Sequence, residues 1–183
     1  LNHLDSIDAK MDSVNTVVIG GSAAPRSMIE AFDKKHDAFV MHAWGMTEMS
    51  PIGTVNANTA SLRSLPEDQR YTLQQKQGRP VFGVDLKIID DEGNEQPRDG
   101  KAYGRLMVRG PWIIDTYYKA DKSALEDGWF DTGDVATIDP QNYMQIVDRS
   151  KDVIKSGGEW ISSIDLENAA VGHPDVAEAC VIG

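Results

Sequence analysis

Cysteine is almost missing from this sequence: Cys180 stands alone, which excludes an internal disulfide and any cysteine-rich zinc site. A reducing, cytoplasmic setting is the simpler expectation, and the apolar run around Cys180 predicts a small buried core residue. No hydrophobic run approaches the length of a membrane span, so no transmembrane segment is expected. The first residues, Leu1-Asn2-His3-Leu4-Asp5, carry no basic-then-apolar signal pattern. There is no initiator methionine, and Val181-Ile182-Gly183 reads as mid-strand, so the chain is expected to be a fragment of a longer protein. Basic residues are scarce: 18 Lys and Arg stand against 29 Asp and Glu, a net charge of -11. That balance excludes the broad cationic footprint nucleic acid requires. No internal repeat or low-complexity tract occurs. What remains is ordinary globular composition, 40% hydrophobic and 26% charged over 183 residues, enough for one core or two small ones.

The stretch with the densest chemistry is Trp44-Gly45-Met46-Thr47-Glu48, directly after the apolar run 39–43. A flat ring can stack on a base, glycine admits close backbone approach, a hydroxyl can meet a phosphate oxygen and a carboxylate can hold a hard cation. Taken alone, such a stretch is more often an ordinary loop entry. The segments before it make it more. Residues 1–13 place Leu4, Ile7 and Met11 at helical spacing and read as the end of a helix. Thr16-Val17-Val18-Ile19 reads as a short buried strand, followed by the turn Gly20-Gly21-Ser22-Ala23-Ala24. Pro25 then takes the favoured first position of a helix with Met28, Ile29 and Phe32 on one face. With a strand over 38–43 this is a βαβ unit, which implies a parallel sheet with Gly20-Gly21 and Trp44 to Glu48 on one edge. Gly20-Gly21 fits neither the dinucleotide fingerprint nor the lysine-containing phosphate loop.

Residues 50–77 are polar and weakly periodic, and read as a long surface connection with one short helix. From Arg79 the texture becomes strands: Val84, Leu86 and Ile88 alternate with charged residues, Glu92-Gly93-Asn94 supplies a turn, and Leu106 and Val108 continue the pattern. Residues 121–126 read as a brief helix, 135–138 and 143–147 as strands joined by the turn 139–142. Asp148-Arg149-Ser150-Lys151-Asp152 is a charged break, taken as a domain boundary. Beyond it, Ser162 or Ser163 caps a helix through Val171, with Asp165 placed for the capping contact, and 176–182 opens another strand. The expected fold is mixed α and β and multi-domain. A βαβ parallel-sheet segment (1–77) precedes a small antiparallel β-barrel subdomain (78–147), and a truncated α+β C-terminal domain begins at the hinge (148–183).

Four motifs in order carry a resemblance. They are Gly20-Gly21-Ser22-Ala23-Ala24-Pro25, Trp44-Gly45-Met46-Thr47-Glu48, Gly128-Trp129-Phe130-Asp131-Thr132-Gly133-Asp134, and Asp148-Arg149-Ser150-Lys151-Asp152 continuing to Gly157-Gly158-Glu159. Together they resemble the adenylate-forming (AMP-binding) superfamily of acyl-CoA synthetases, adenylation domains and luciferases, from about residue 16 to the end. The wording Trp-Gly-Met-Thr-Glu-Met-Ser-Pro with Lys-Ser-Gly-Gly-Glu-Trp-Ile-Ser-Ser is most similar to bacterial fatty-acyl-CoA ligases and 3-methylmercaptopropionyl-CoA ligases.

The resemblance implies ATP, Mg²⁺ and coenzyme A, with a carboxylic, fatty acid as substrate. It implies that Gly21, Ser22 and Ala23 border the adenine and that Trp44, where many relatives carry Tyr, stacks on it. Gly45 and Met46 would face the acyl group, Thr47 the α-phosphate, and Glu48 would hold Mg²⁺. Asp134 would accept from both ribose hydroxyls and Arg149 would reach the ribose and phosphates. Lys151 falls at the hinge, Gly157 and Gly158 line the pantetheine path, and Trp160 flanks it or simply packs. Trp129 and Phe130 are expected to be packing residues. Ser163 stands where many relatives have proline. The family's glycine-rich phosphate loop and its acyl-contacting lysine would lie outside this chain, so the fragment alone is expected to be inactive. Alternatives left open are an adenylation domain that loads a carrier protein, a non-catalytic nucleotide-binding module and a plain scaffold, as is assembly into a homodimer.

Overall fold

In a computed structural model, all residues are described except Asp152, Gly157, Gly158, Pro174 and Gly183, together with the side chains of residues 155, 156, 159 and 160. The first helix, α1 (Asn2–Ser6), is shorter than the expected segment over 1–13 and buries none of its residues. Asp8 turns left-handed at φ 49° and ends it. Strand β1 (Thr16–Gly20), helix α2 (Arg26–His36) and strand β2 (Phe39–Gly45) then form the expected βαβ unit, with β1 and β2 parallel and Gly20 opposite Ala43. Pro25 is the residue just before the helix, one position earlier than predicted. Its φ of -59° already suits the helix, and its missing N–H costs nothing there. Ile29 is fully buried, and basic Lys34 and Lys35 sit in the last turn, where the helix dipole favours them. Strand β1 lies at the edge of its sheet and Val18 is 64% exposed, so the buried strand predicted here is not observed.

The connection over 50–77 is not a surface loop. A 3₁₀ turn at Thr47–Met49 leads to β3 (Ile52–Val55), antiparallel to β2; α3 (Ala60–Arg63) and α4 (Glu67–Gln74) follow, and β4 (Arg79–Pro80) pairs with β3. Polarity misleads here because the polar side chains are buried and bond the backbone. Asn56 donates to Leu73 O (2.6 Å) and Lys76 O (3.0 Å), Thr54 to Gln77 O (2.7 Å) and Gln74 to Val40 O (3.2 Å). Tyr71, with no exposed surface, donates to Asp33 Oδ2 at 2.5 Å and packs with Ile29 and Val40.

The second sheet is the antiparallel, curled half-barrel expected from the alternation. It comprises β5 (Asp85–Ile89), β6 (Gly104–Arg109), β7 (Leu125–Glu126), β8 (Trp129–Ile138) and β9 (Met144–Arg149). Leu86, Ile88, Leu106, Val108, Phe130, Ala136, Ile138 and Met144 close its core, which also receives Met49 from the first sheet's 3₁₀ turn. Phe130 packs as expected, while Trp129 is half-buried beneath the Lys87 and Arg109 cations. Residues 121–126 form no helix: Leu125 and Glu126 pair with Phe130 and Trp129, and the Ser123 hydroxyl bonds Asp115 and the Leu125 N–H instead.

Beyond β9, β10 (Ile154–Ser156) and β11 (Glu159–Ile161) make an antiparallel hairpin, and α5 (Ser163–Val171) follows. Ser162 caps it, accepting from the Asp165 N–H at 3.1 Å, as the sequence predicts. The strand expected over 176–182 is absent among the described residues; the Val181 N–H goes to Glu167 Oε1 (3.0 Å) on α5 rather than to a neighbouring strand. Cys180 is exposed, contrary to its expected burial.

Candidate functional site

Strand pairing assembles the site. The parallel register of β1 on β2 sets the Gly21-Ser22 turn beside Trp44, and the antiparallel register of β8 on β9 sets Arg149 opposite Asp134. A cavity of about 180 Å³ lies between them, lined by Gly21, Ser22, His42, Trp44, Gly45 and Asp134 among others. It adjoins a larger one of about 750 Å³, lined by Lys151, Ser163 and Glu167, and the two share Asp134 and Arg149. Of the sequence-predicted residues the fold thus brings together Gly21, Ser22, Trp44, Gly45, Asp134 and Arg149, with Lys151 in the adjoining cavity. Ala23, Thr47 and Glu48 do not line the smaller cavity. Gly157 and Gly158 lie outside the described residues, as does the Trp160 side chain.

Asp134 is only 5% exposed. Burial pushes its carboxyl above the ordinary value, and the Arg149 guanidinium and the Trp44 N–H act in the opposite direction. Arg149 Nε is 3.1 Å from Oδ1, and Trp44 Nε1 donates to Oδ2 at 3.0 Å. Each oxygen keeps acceptor capacity, because an ionised carboxylate offers about four lone-pair positions.

Thr47 and Glu48 stand on the 3₁₀ turn, which the fully buried Met49 anchors in the half-barrel core. Glu48 is gripped twice from the segment after β6: Ile114 N–H donates to its carbonyl (2.8 Å) and Tyr117 Oη to its Oε1 (2.9 Å). Tyr117 was not foreseen, since nothing local in the sequence ties position 117 to position 48. Among the described residues no group of three or more His, Cys, Asp and Glu could hold a metal. Glu48 alone still fits Mg²⁺, an ion that commonly takes one or two carboxylates and completes its shell with phosphate oxygens and water.

His42 is a second residue the sequence reading passed over. It is buried in β2, with Nδ1 2.9 Å from Gln75 O and Nε2 3.1 Å from Ser22 O, so it ties the Ser22 turn to the end of α4. The two carbonyls favour the charged ring, but burial outweighs them and lowers its pKa below 6.5. A depressed histidine contributes stability that is present above the unfolded value and lost as pH falls through the folded one. The melting temperature is therefore expected to fall on acidification below pH 6.5 more steeply than in His42→Asn. The difference is at most about 1.4 kcal/mol per pH unit, one proton's worth. Parallel pH profiles from the two proteins would contradict this.

The sequence profile of the AMP-binding enzyme family matches residues 1–118. A 3-methylmercaptopropionyl-CoA ligase of Ruegeria lacuscaerulensis is 55% identical over 184 residues, covering 100% of this chain and 34% of that protein. A medium-chain-fatty-acid–CoA ligase of Ectopseudomonas oleovorans is 52% identical over 95% of this chain and 32% of its own length. Among solved structures, the anthranilate CoA ligase AuaEII in complex with anthranoyl-AMP superposes with a TM-score of 0.82 at 27% identity, over 98% of this chain and 33% of that one. An o-succinylbenzoate CoA synthetase from Bacillus subtilis, in complex with ATP and magnesium ion, gives 0.76 at 29% identity, over 93% and 34%. The chain spans about a third of the length of the curated relatives it matches. With the profile covering well over half of its residues and 98% of the chain superposing on a solved CoA ligase, the chain belongs to the AMP-binding enzyme family.

Proposed function

We propose that this chain is the nucleotide-binding and hinge portion of a longer AMP-forming acyl-CoA ligase acting on a carboxylic acid of the fatty class. The observation that carries the reading is the aromatic ring of Trp44 held against the buried, two-donor carboxylate of Asp134, beside the Gly21-Ser22 turn. That arrangement offers a stacking face for adenine and acceptors for a ribose. In the reaction, a carboxylate oxygen attacks the α-phosphorus of ATP and expels pyrophosphate. The thiol of coenzyme A, losing its proton, then attacks the acyl carbon and expels AMP. Neither step needs a protein nucleophile; both gather negative charge and are helped by positioned donors.

In this reading Gly21, Ser22 and Ala23 border the adenine, Asp134 accepts from the ribose hydroxyls, Arg149 reaches the ribose and phosphates, and the Thr47 hydroxyl donates to the α-phosphate. Glu48 would hold Mg²⁺, which when bound neutralises phosphate charge. Gly45 and Met46 border the acyl group, and Gly157 and Gly158 the pantetheine arm. The phosphate loop and the acyl-contacting lysine belong to other parts of the whole protein, so the isolated chain is expected not to form an adenylate. Cytoplasmic location fits a lone, exposed cysteine, and no helix among the described residues is long and apolar enough to cross a membrane. A pyrophosphate-release screen of the whole enzyme, with acids of graded length and with or without coenzyme A, tests the proposal. Release that depends on the acid, with thioester and AMP appearing once coenzyme A is added, supports it; release without acid, or no thioester, refutes it.

Lys151 follows β9 at the edge of the larger cavity, in the turn leading away from the half-barrel. Hinges absorb their backbone change at such element ends. Lys151→Pro is expected to spare adenylate formation and suppress thioester formation, each followed by single-turnover quench; equal loss of both half-reactions would count against a hinge at 151.

A further inference from the structure

Trp44 presents more than a ring face. Its indole N–H reaches Asp134 Oδ2 at 3.0 Å across 90 residues of sequence, and it does so from β2 of one sheet to β8 of the other. The second oxygen, Oδ1, faces Arg149 Nε at 3.1 Å. One donor on each oxygen fixes the rotation of the carboxylate about its own axis. The backbone beneath it is held too, since Asp134 N–H donates to Thr132 Oγ1 (3.1 Å).

The far edge of the indole is seated just as closely. A Cβ added at Gly53 would fall 2.7 Å from Trp44 Cζ3 and 2.2 Å from the methyl carbon of the fully buried Met49. The benzo ring therefore lies where only a glycine leaves room, and its pose is set from both ends: by Gly53 and Met49 on one side, by Asp134 on the other.

We propose that Trp44 is a positioning residue whose indole N–H orients the Asp134 carboxylate, so that recognition of the ribose hydroxyls depends on a donor that a phenyl ring lacks. This rests on the reading of Asp134 as the ribose acceptor. The consequence is a coupling between base and sugar recognition. The surface that stacks and the carboxylate that accepts come from different sheets, and the N–H is the direct bond between them.

The test measures the affinities of the whole enzyme for AMP and for 2′,3′-dideoxy-AMP by calorimetry. The variants are Trp44→Phe and a protein carrying benzothienylalanine at position 44, which keeps the bicyclic ring area and removes the N–H. The wild type is expected to prefer AMP by roughly tenfold or more. Both variants are expected to lose about three- to tenfold of that preference, whatever the change in overall affinity. The near-isosteric benzothienyl protein keeps the test interpretable if Trp44→Phe folds poorly. A preference that survives in the benzothienyl protein would overturn the proposal. A wild type that does not distinguish the two nucleotides, with Asp134→Ala equally indifferent, would instead refute Asp134 as the ribose acceptor, and the proposal with it.

Discussion

Replacing Asp134 by alanine is expected to weaken AMP binding by about ten- to 150-fold. The figure follows from hydrogen bonds to a charged acceptor, worth roughly 1.5–3 kcal/mol, at tenfold per 1.4 kcal/mol. Folding should suffer much less. Burial raises the folded-state pKa of Asp134, and a raised carboxyl contributes stability only below its unfolded value, losing it as pH rises. At neutral pH the ionised group is thus kept at a cost to the fold. Its removal strands the Trp44 N–H, but Arg149, with 60% of its side chain exposed, can turn to water. Calorimetric titration with AMP, paired with a thermal melt, separates the two effects. Unchanged affinity would remove Asp134 from the nucleotide site, and a collapsed melting temperature would make it a structural residue.

The second large effect is expected at Gly45. A Cβ there would lie 1.7 Å from the Pro51 carbonyl oxygen and 2.7 Å from its carbon, both backbone atoms, at the point where the β2–β3 register shifts. No side-chain rotation relieves such an overlap, so the strand connection itself must move. Gly45→Ala is expected to cost about 3 kcal/mol, the upper range for an overpacked site, or more. Because the displaced connection carries Thr47 and Glu48, catalysis should fall even where folding survives. Gly21→Ala makes the contrast. Its φ is +78° and nothing stands within 4 Å of an added Cβ, so only backbone strain of about 1–2 kcal/mol applies. Chemical denaturation of both variants checks the ordering, and a Gly45→Ala as stable as Gly21→Ala would contradict it.

How much of this could be read from the chain follows from how local each signal is. The proline before α2, the Ser162 cap and the alternation at Leu86 and Ile88 act within one turn or one strand, and each element appears within a residue of where they place it. Residues 50–77 failed because Asn56, Gln74 and Gln77 are polar yet buried. Their amides serve backbone groups far along the chain, which no window of sequence displays. Leu125 and Glu126 failed for a related reason: a strand of two residues exists only through its partners in β8. Val18 is exposed because side chains alternate along β1 and, among the described residues, its face is left uncovered while Val17 and Ile19 on the other face are partly buried, a matter of layering rather than of local hydrophobicity. At the site, the residue types were legible from their motifs, while their connections were not. The Trp44 bond to Asp134, the Tyr117 bond to Glu48 and the His42 bonds to two carbonyls all span 20 or more positions.

The most direct test of the account is a crystal structure of the whole enzyme with AMP. Adenine is expected against the Trp44 ring, bordered by Gly21 and Ser22, with both ribose hydroxyls on Asp134 and the indole N–H still on Oδ2. A nucleotide bound elsewhere, or seated here with its ribose turned away from Asp134, would contradict it.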